Sequence, residues 1–404
     1  MLSEATIKTI KSTVPVLEEH GREITTRFYQ SMFASYPELL NLFNHANQKQ
    51  GKQQAALANA VYAAAKHIDQ LGMILPVVKQ IAHKHRSLGV RKEHYPIVGE
   101  QLLKAIKDVL GDAATDEIIG AWAEAYGVIA QVFIDVEEEM YKEAEQQQGG
   151  WADFRPFVVQ RKVVETPQIT SFYLVPQDGG PLSTYLPGQY VSIKYESAEE
   201  EYSHIRQYSL SDSPGKSYYR ITVKREDARG SQSAGKVSNV LHQRIQVGDV
   251  LPLSAPAGDF CLDLEDTRPI VLISGGVGLT PLVSMLNALV EAGSKRRIVF
   301  IHAAVSLQRH ALKEHVDGLV DVHPNLSAYY FYRETAGGEL EARHAVADSA
   351  LDAAWLEQAV PERDAVYYFC GSTPFMRAVK QELVANGVAD ADMHYEFFGP
   401  AGTL

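Results

Sequence analysis

The hydrophobic pattern of this chain changes period at one place, and that change constrains the fold more than any other feature. Up to about residue 145, apolar residues recur every three or four positions. After the polar, glycine-ended stretch Gln146–Gly150 (QQQGG) they come in short β-branched and aromatic runs bounded by Pro and Gly. A helical period and an extended one do not share a layer, so a domain boundary is expected at QQQGG, with an all-α domain ahead of it. Amphipathic helices are expected over Ile24–Phe33, Ala55–Leu71, Pro76–Leu88, Tyr95–Leu110 and Ala113–Glu145. Turn signals at Tyr36-Pro37, Gly72, Gly89 and Gly111-Asp112 separate them, and Ser3 and Thr6 have the spacing of a cap for a first helix.

The strand signals fall into two groups. Phe157–Val164, Ile169–Val175, Tyr190–Tyr195, Tyr218–Lys224 and Val250–Leu253 have the pattern of an antiparallel barrel. From Arg268 onward, apolar strands at Pro269–Ser274, Arg297–Ala303, Ala328–Tyr332 and Ala365–Cys370 alternate with helical runs such as Pro281–Ala292 and Thr373–Asn386. That alternation is the mark of an open, parallel α/β sheet. The expected fold class is therefore multidomain: all-α over residues 1–147, an antiparallel β-barrel over 148–264, and an α/β open parallel sheet over 265–404.

Composition narrows the function classes. A formal net charge of −12 offers no general attraction to nucleic acid or anionic lipid, so no nucleic-acid partner is expected. No unbroken run of about 18 apolar residues exists, and the N-terminus has no secretory pattern, so no integral membrane association is expected. The two cysteines, Cys261 and Cys370, lie far apart, which points to a reducing cytoplasm rather than a disulfide framework.

Five stretches carry the candidate chemistry. In IAHKHRSL (Ile81–Leu88), His85 falls on the stripe of Val77, Val78, Ile81 and Leu88, while His83 faces elsewhere. An imidazole projecting from such a face can ligate haem iron through a neutral ring nitrogen, or can be a buried, hydrogen-bonded core histidine. Arg206-Gln207-Tyr208-Ser209-Leu210 follows Pro187-Gly188-Gln189-Tyr190 by a loop. The guanidinium suits phosphate oxygens, the tyrosine ring suits stacking on an isoalloxazine, and the serine hydroxyl suits the ring nitrogen that takes a hydride. Ile270–Pro281 (IVLISGGVGLTP) is a strand running through glycines into a helix, with Thr280 expected as N-cap and Pro281 as first helical residue. Such a turn brings backbone N–H groups and a helix N-terminus to a pyrophosphate. Tyr367–Gly371 ends a strand at Cys-Gly, where open sheets bind ligands. Finally, His394–Pro400 is an aromatic run near the end of the sequence, suited to covering a flavin.

In this order and spacing, the last four stretches closely resemble the ferredoxin–NADP reductase family over roughly residues 150–404. The resemblance implies FAD on the barrel, held by Tyr190, Arg206, Gln207, Tyr208 and Ser209. It implies NAD(P)H on the α/β domain, with Gly275, Gly276, Val277, Gly278, Leu279 and Thr280 at the pyrophosphate. The tail residues Glu396, Phe397, Phe398, Gly399 and Pro400 would close over nicotinamide and flavin. The family's Cys-Gly-Pro is Cys370-Gly371-Ser372 here, so Cys370 is expected only as a neighbour of the nicotinamide.

A helical domain ahead of such a reductase resembles the flavohaemoglobins, and that resemblance extends over the whole chain. It implies a globin haem domain with haem b, His85 as proximal iron ligand and Tyr29 as distal tyrosine. Phe43 would pack on the haem, Gln53 and Leu57 would lie on the distal helix, and Lys84 beside His85. Behind His85 the family uses a Tyr and a Glu. Tyr95 matches the first, and the second is to be found among Glu137, Glu138, Glu139 and Asp135. The stripe Trp122, Tyr126, Ala130, Phe133 extends to Glu137 and Tyr141, which turns Glu137 inward. A carboxylate on an apolar face needs a partner, and His85 with Tyr95 would supply it.

The implied activity is nitric oxide dioxygenation with O2 and NO as substrates, by an enzyme expected to be a cytoplasmic monomer. Two alternatives stay open. One is a reductase of alkyl or lipid hydroperoxides or flavins with an apolar or lipid ligand in the haem pocket; the other is an O2- or NO-binding sensor. NADH and NADPH are not distinguished: the acidic residue expected about twenty residues past the glycines is not evident after the strand Arg297–Ala303, and Arg309 is a weak candidate for a 2′-phosphate.

Overall fold

The computed structural model describes residues 2–228, 230, 233–333 and 353–399. The chain divides into two compact units. One comprises Met1–Phe154 and Lys194–Arg206 together with Gly399; the other comprises Arg155–Ile193 and Gln207–Phe398.

The first unit is built on seven helices, α1 (Glu4–Ser12), α2 (Val14–Ser35), α3 (His45–Lys49), α4 (Lys52–Lys66), α5 (Leu75–Leu88), α6 (His94–Leu110) and α7 (Asp116–Gln146). Their ends follow local chemistry. Ser3 caps α1 by accepting from the Thr6 N–H, and Thr115 caps α7 by accepting from the Ile118 N–H. Pro76 lies in the first turn of α5, where its missing N–H is harmless. Gly89, at φ +84°, ends α5 and donates back to the carbonyls of His85 and Arg86. The helix expected over Ala55–Leu71 stops at Lys66. Beyond it Asp69 pairs with Lys11 at 2.5 Å, and Leu71–Ile74 form a separate 3-10 turn. The core gathers Ile10, Ile24, Phe28, Met32, Leu102, Ile106 and Trp122. By length and mean hydropathy α7 is long and apolar enough to cross a membrane, although it holds no unbroken apolar run of about 18 residues. It packs along α1, α5 and α6.

The antiparallel sheet, most of whose residues belong to the second unit, has the order β4-β3-β6-β1-β2-β5, formed by β1 (Phe154–Thr166), β2 (Ile169–Pro176), β3 (Tyr190–Tyr195), β4 (His204–Ser209), β5 (Tyr219–Lys224) and β6 (Val250–Ser254). The pairs β1/β2, β2/β5 and β3/β6 are antiparallel. A bridge from Leu210 to Ile221 joins the two edge strands and closes the barrel. The helix α8 (Lys236–Gln243), absent from the sequence reading, covers Phe172 with His242.

A parallel sheet follows in the order β11-β10-β7-β8-β9, with β7 (Ile270–Gly275), β8 (Ile298–Ala304), β9 (Leu326–Tyr332), β10 (Val366–Cys370) and β11 (Met393–Glu396). Among the described residues four helices belong to it: α9 (Leu279–Glu291), α10 (Lys313–Val322), α11 (Ala353–Ala359) and α12 (Thr373–Ala385). Strand order reverses between β7 and β10, and open sheets bind ligands at the carboxyl ends of the strands flanking that switch.

Candidate functional site

In the first unit, α5, α6 and α7 converge on one polar cluster. His85 and Glu137 lie on α5 and α7, and the His85 Nδ1–H donates to Glu137 Oε1 at 2.7 Å. Tyr95, on α6, donates its hydroxyl to the same oxygen at 2.7 Å. Glu137 is 2% exposed, so of the four acids left open by the sequence it is the one turned inward. Burial and the adjacent Glu137 carboxylate push the Tyr95 phenol far up, which keeps it a proton donor. With Nδ1 committed, Nε2 is the free nitrogen of His85, whose side chain remains 33% exposed. A ring nitrogen held by a carboxylate while the other is free is the arrangement of a metal-binding imidazole. Phe133 of α7 flanks both rings, at 6.1 Å from His85 and 6.4 Å from Tyr95. Tyr126 donates to the Tyr95 carbonyl at 2.6 Å, fixing the start of α6.

A second group forms around Tyr29. Its ring meets Phe43 edge-on at 5.7 Å and stacks on Phe33 at 5.8 Å. Burial pushes its phenol far up, and among the described residues its hydroxyl has no hydrogen-bond partner. Gln53 and Leu57 share a face of α4 and stay half-buried, as do most positions of that helix from Gln53 to Ala63. Lys84 Nζ donates to the Gly399 carbonyl at 2.9 Å, both within the first unit.

In the barrel, Tyr190 is buried at the start of β3 and exchanges backbone bonds with Ala257. Gln207 donates to Ser192 Oγ at 3.2 Å, Tyr208 is half-exposed, and Ser209 is buried at the end of β4. Arg206 donates through Nη1 to the Ile205 carbonyl at 2.7 Å.

The glycine turn of the parallel sheet sits at the switch point. A Cβ on Gly278 would lie 2.3 Å from the Cys370 carbonyl oxygen, so only glycine lets the turn after β7 lie against the end of β10. Gly276 adopts φ +55° with open space where a Cβ would stand, leaving its backbone approachable. Thr280 is not the N-cap: Gly276–Gly278 form a 3-10 turn and α9 already begins at Leu279. Thr280 and Pro281 therefore lie inside the first turn, and the Thr280 hydroxyl donates back to the Val277 carbonyl at 3.1 Å. The glycines let the chain wind up earlier than a side-chain cap would.

Of the tail, His394 to Glu396 belong to the edge strand β11, paired in register with β10. Glu396 stands opposite Cys370 and accepts its Sγ–H through the backbone carbonyl at 3.5 Å. Phe397 packs edge-on to Tyr395, Phe398 is 51% exposed, and Pro400 lies outside the described residues. The sequence reading missed a cluster in which His302 of β8 and His310, just past a 3-10 turn beyond β8, face each other tilted at 4.3 Å, with Ser274 of β7 and Tyr332 of β9 as partners. The spacing of HAAVSLQRH after a predicted strand was its only signal.

Known proteins share this build. Residues 26–133 match the Globin family and residues 272–381 the Oxidoreductase NAD-binding domain. A flavohemoprotein of Bacillus cereus (strain ATCC 10987 / NRS 248) is 55% identical over 404 residues, covering all of both chains. The flavohemoprotein of Bacillus subtilis (strain 168) is 51% identical, covering all of this chain and 99% of its own. Among solved structures, a flavohemoglobin from Malassezia yamatoensis with bound FAD and heme superposes with a TM-score of 0.85 at 27% identity, over 98% of this chain and all of the other. The flavohem-like FAD/NAD binding domain of a nitric oxide dioxygenase from Vibrio cholerae matches 61% of this chain and all of its own, with a TM-score of 0.54 and 38% identity. Identity at this level, sustained from one end of the sequence to the other, means that the chain belongs to the flavohemoprotein family.

Proposed function

We propose that this flavohemoprotein is a nitric oxide dioxygenase, taking electrons from NAD(P)H and consuming O2 and NO to give nitrate. The observation that carries the reading is the buried carboxylate behind His85, at 2.7 Å from Nδ1 and shared with Tyr95. Such a bond makes an imidazole more electron-donating, which serves oxygen activation more than reversible storage. Bound haem b supplies one-electron chemistry on O2, and bound FAD divides the two-electron hydride of NAD(P)H into single electrons.

The residues present fit both groups. His85 offers Nε2 to the iron, while Glu137 and Tyr95 hold its ring in place. Tyr29 Oη keeps its proton because burial raises its pKa, so it remains a donor at neutral pH. Phe43 and Leu57 serve as apolar wall with Gln53 beside Leu57 on α4, and Lys84 lies beside His85 on α5. For FAD, Tyr190, Arg206, Gln207 and Tyr208 bind and Ser209 offers its hydroxyl. For NAD(P)H, the open Gly276 backbone and the N-terminus of α9 receive the pyrophosphate. The sites of both cysteines, neither in a disulfide, suit a reducing cytoplasm.

The test is NO consumption in air by the purified protein loaded with haem and FAD, with NAD(P)H present and nitrate measured as product. An alkyl hydroperoxide serves as the comparison substrate. Absence of NO turnover, or faster turnover of the hydroperoxide, overturns the reading.

A further inference from the structure

Asp212 lies three residues beyond Ser209 and is buried within the second unit. Its carboxylate and its carbonyl are both engaged, from two directions. On the barrel side, the Ser213 N–H donates to Oδ1 and the Tyr218 hydroxyl to Oδ2, each at 2.9 Å, and the Arg220 guanidinium stands 3.4 Å from Oδ2. From α9, Asn287 Nδ2 donates to Oδ1 at 2.7 Å and the Ser284 hydroxyl to the Asp212 carbonyl at 2.5 Å. Asn287 in turn accepts from His315 Nε2 of α10 at 2.8 Å. Burial alone would push the Asp212 carboxyl up, but the Arg220 charge and the surrounding donors outweigh it and hold the group below the usual carboxylate range.

Burial is not the reason for such a network. The residues of α9 are buried from Leu279 through Leu289, and a buried ion pair is often replaced by apolar side chains of like volume without loss of stability. A set of directional bonds does supply registry, which apolar contacts leave loose. Ser284 and Asn287 lie four and seven positions past Thr280, on one face of α9. The bonds from Asp212 therefore tie the end of the Tyr208-Ser209 strand to the helix that begins at the Gly276–Gly278 turn.

We propose that Asp212, gripped by Ser284 and Asn287, is a positioning residue for hydride transfer. It holds the flavin-binding strand and the nucleotide-binding turn at one fixed separation, so that dihydronicotinamide and flavin meet in reacting geometry. Misplacement of reacting groups by about 1 Å lowers a rate on the order of a hundredfold, so small slippage is readable. The proposal rests on the NAD(P)H-to-FAD reading above.

The test uses the full-length holoprotein and two variants, Asn287→Leu, which keeps volume and removes the cross-link, and Ser284→Ala, which removes one hydroxyl. Three quantities are read: the rate constant of flavin reduction by NAD(P)H in stopped flow, the NAD(P)H dissociation constant, and the long-wavelength charge-transfer absorbance of reduced protein with NAD(P)+. Hydrogen exchange of the amides of residues 210–213 and 284–288 is followed in protein without added nucleotide. The expected result for Asn287→Leu is a fall in rate of about tenfold or more, a weaker charge-transfer band and faster exchange, with FAD stoichiometric and the dissociation constant within about twofold. Ser284→Ala should show the same pattern at about two- to fivefold, and it carries the test if Asn287→Leu does not fold. Rates and band at wild-type level in either folded variant, or a rate that falls only in proportion to lost FAD, overturn the proposal. A wild-type protein whose flavin NAD(P)H does not reduce overturns the functional reading instead.

Discussion

Two histidines, one in each unit, show what separates a ligand from a core residue. His85 and His302 both sit on elements that bury apolar side chains, and both use Nδ1 for a short bond of 2.7 Å. The partner of His85 is a carboxylate, and its ring is one-third exposed. His302 is fully buried, its partner is the Ser274 hydroxyl, and its Nε2 has no partner among the described residues. Burial pushes His302 down to about 3, so it is neutral across the physiological range. Burial also holds its ring neighbour His310 well below the usual value. A negative partner and an open nitrogen therefore mark a site, whereas a neutral partner and a closed one mark packing.

The sharpest way to break that contrast is His85→Ala. The expected outcome is loss of the Soret band, with flavin-dependent dye reduction by NAD(P)H kept within about twofold, since no other residue proposed here ligates iron. Retained haem would remove His85 from its role. Glu137→Gln comes next. The amide keeps the volume and an acceptor oxygen but not the charge, and charge-assisted bonds are about twice as strong as neutral ones. Haem should stay bound, while haem reduction and NO turnover fall on the order of tenfold in stopped-flow and NO-electrode measurements. Unchanged turnover would mean that the carboxylate only packs.

How much of this was readable from residues alone follows from the range of each interaction. His85 and Glu137 were legible because each lies on a stripe within its own helix, where three- and four-residue spacing fixes direction. Their mutual contact spans 52 residues and entered through family resemblance rather than periodicity. The Gly278 turn was legible as a glycine between strand and helix, but the Thr280 cap was not, because the early 3-10 winding depends on the close approach of Cys370. The strands β4 and β11 are short and carry polar residues, so alternation did not reveal them. Asp212 and Asn287 are 75 residues apart, and nothing in SDSP or in LTPLVSMLNALVE couples one to the other.

The second histidine gives the smaller effects, and its pH dependence has a definite sign. Its folded pKa of about 3 lies below the ordinary 6.5, so the native state binds fewer protons than the unfolded one. Stability is then full above about pH 6.5 and is lost as pH falls below that value toward 3. Between pH 8 and pH 5 the loss from this one group is about 2 kcal/mol. His302→Leu should remove that part of the acid sensitivity, leaving a remainder in the same direction from His310, as read by denaturant unfolding of the second unit at the two pH values. An acid sensitivity identical to wild type would mean that His302 is not buried neutral.

Ser274→Ala is the mildest change and tests the comparison from the other side. The Ser274 hydroxyl lies 2.7 Å from His302 Nδ1 and donates to the Ile301 carbonyl at 3.2 Å. Removing it leaves both ring nitrogens of a buried imidazole without a partner, and a lost neutral hydrogen bond of this kind costs about 1 kcal/mol. The Soret band and the haem reduction rate should match wild type, because no charge is altered and the change lies in the other unit. A shift of either would mean that the neutral cluster is coupled to the iron site, and the distinction drawn between the two histidines would fail.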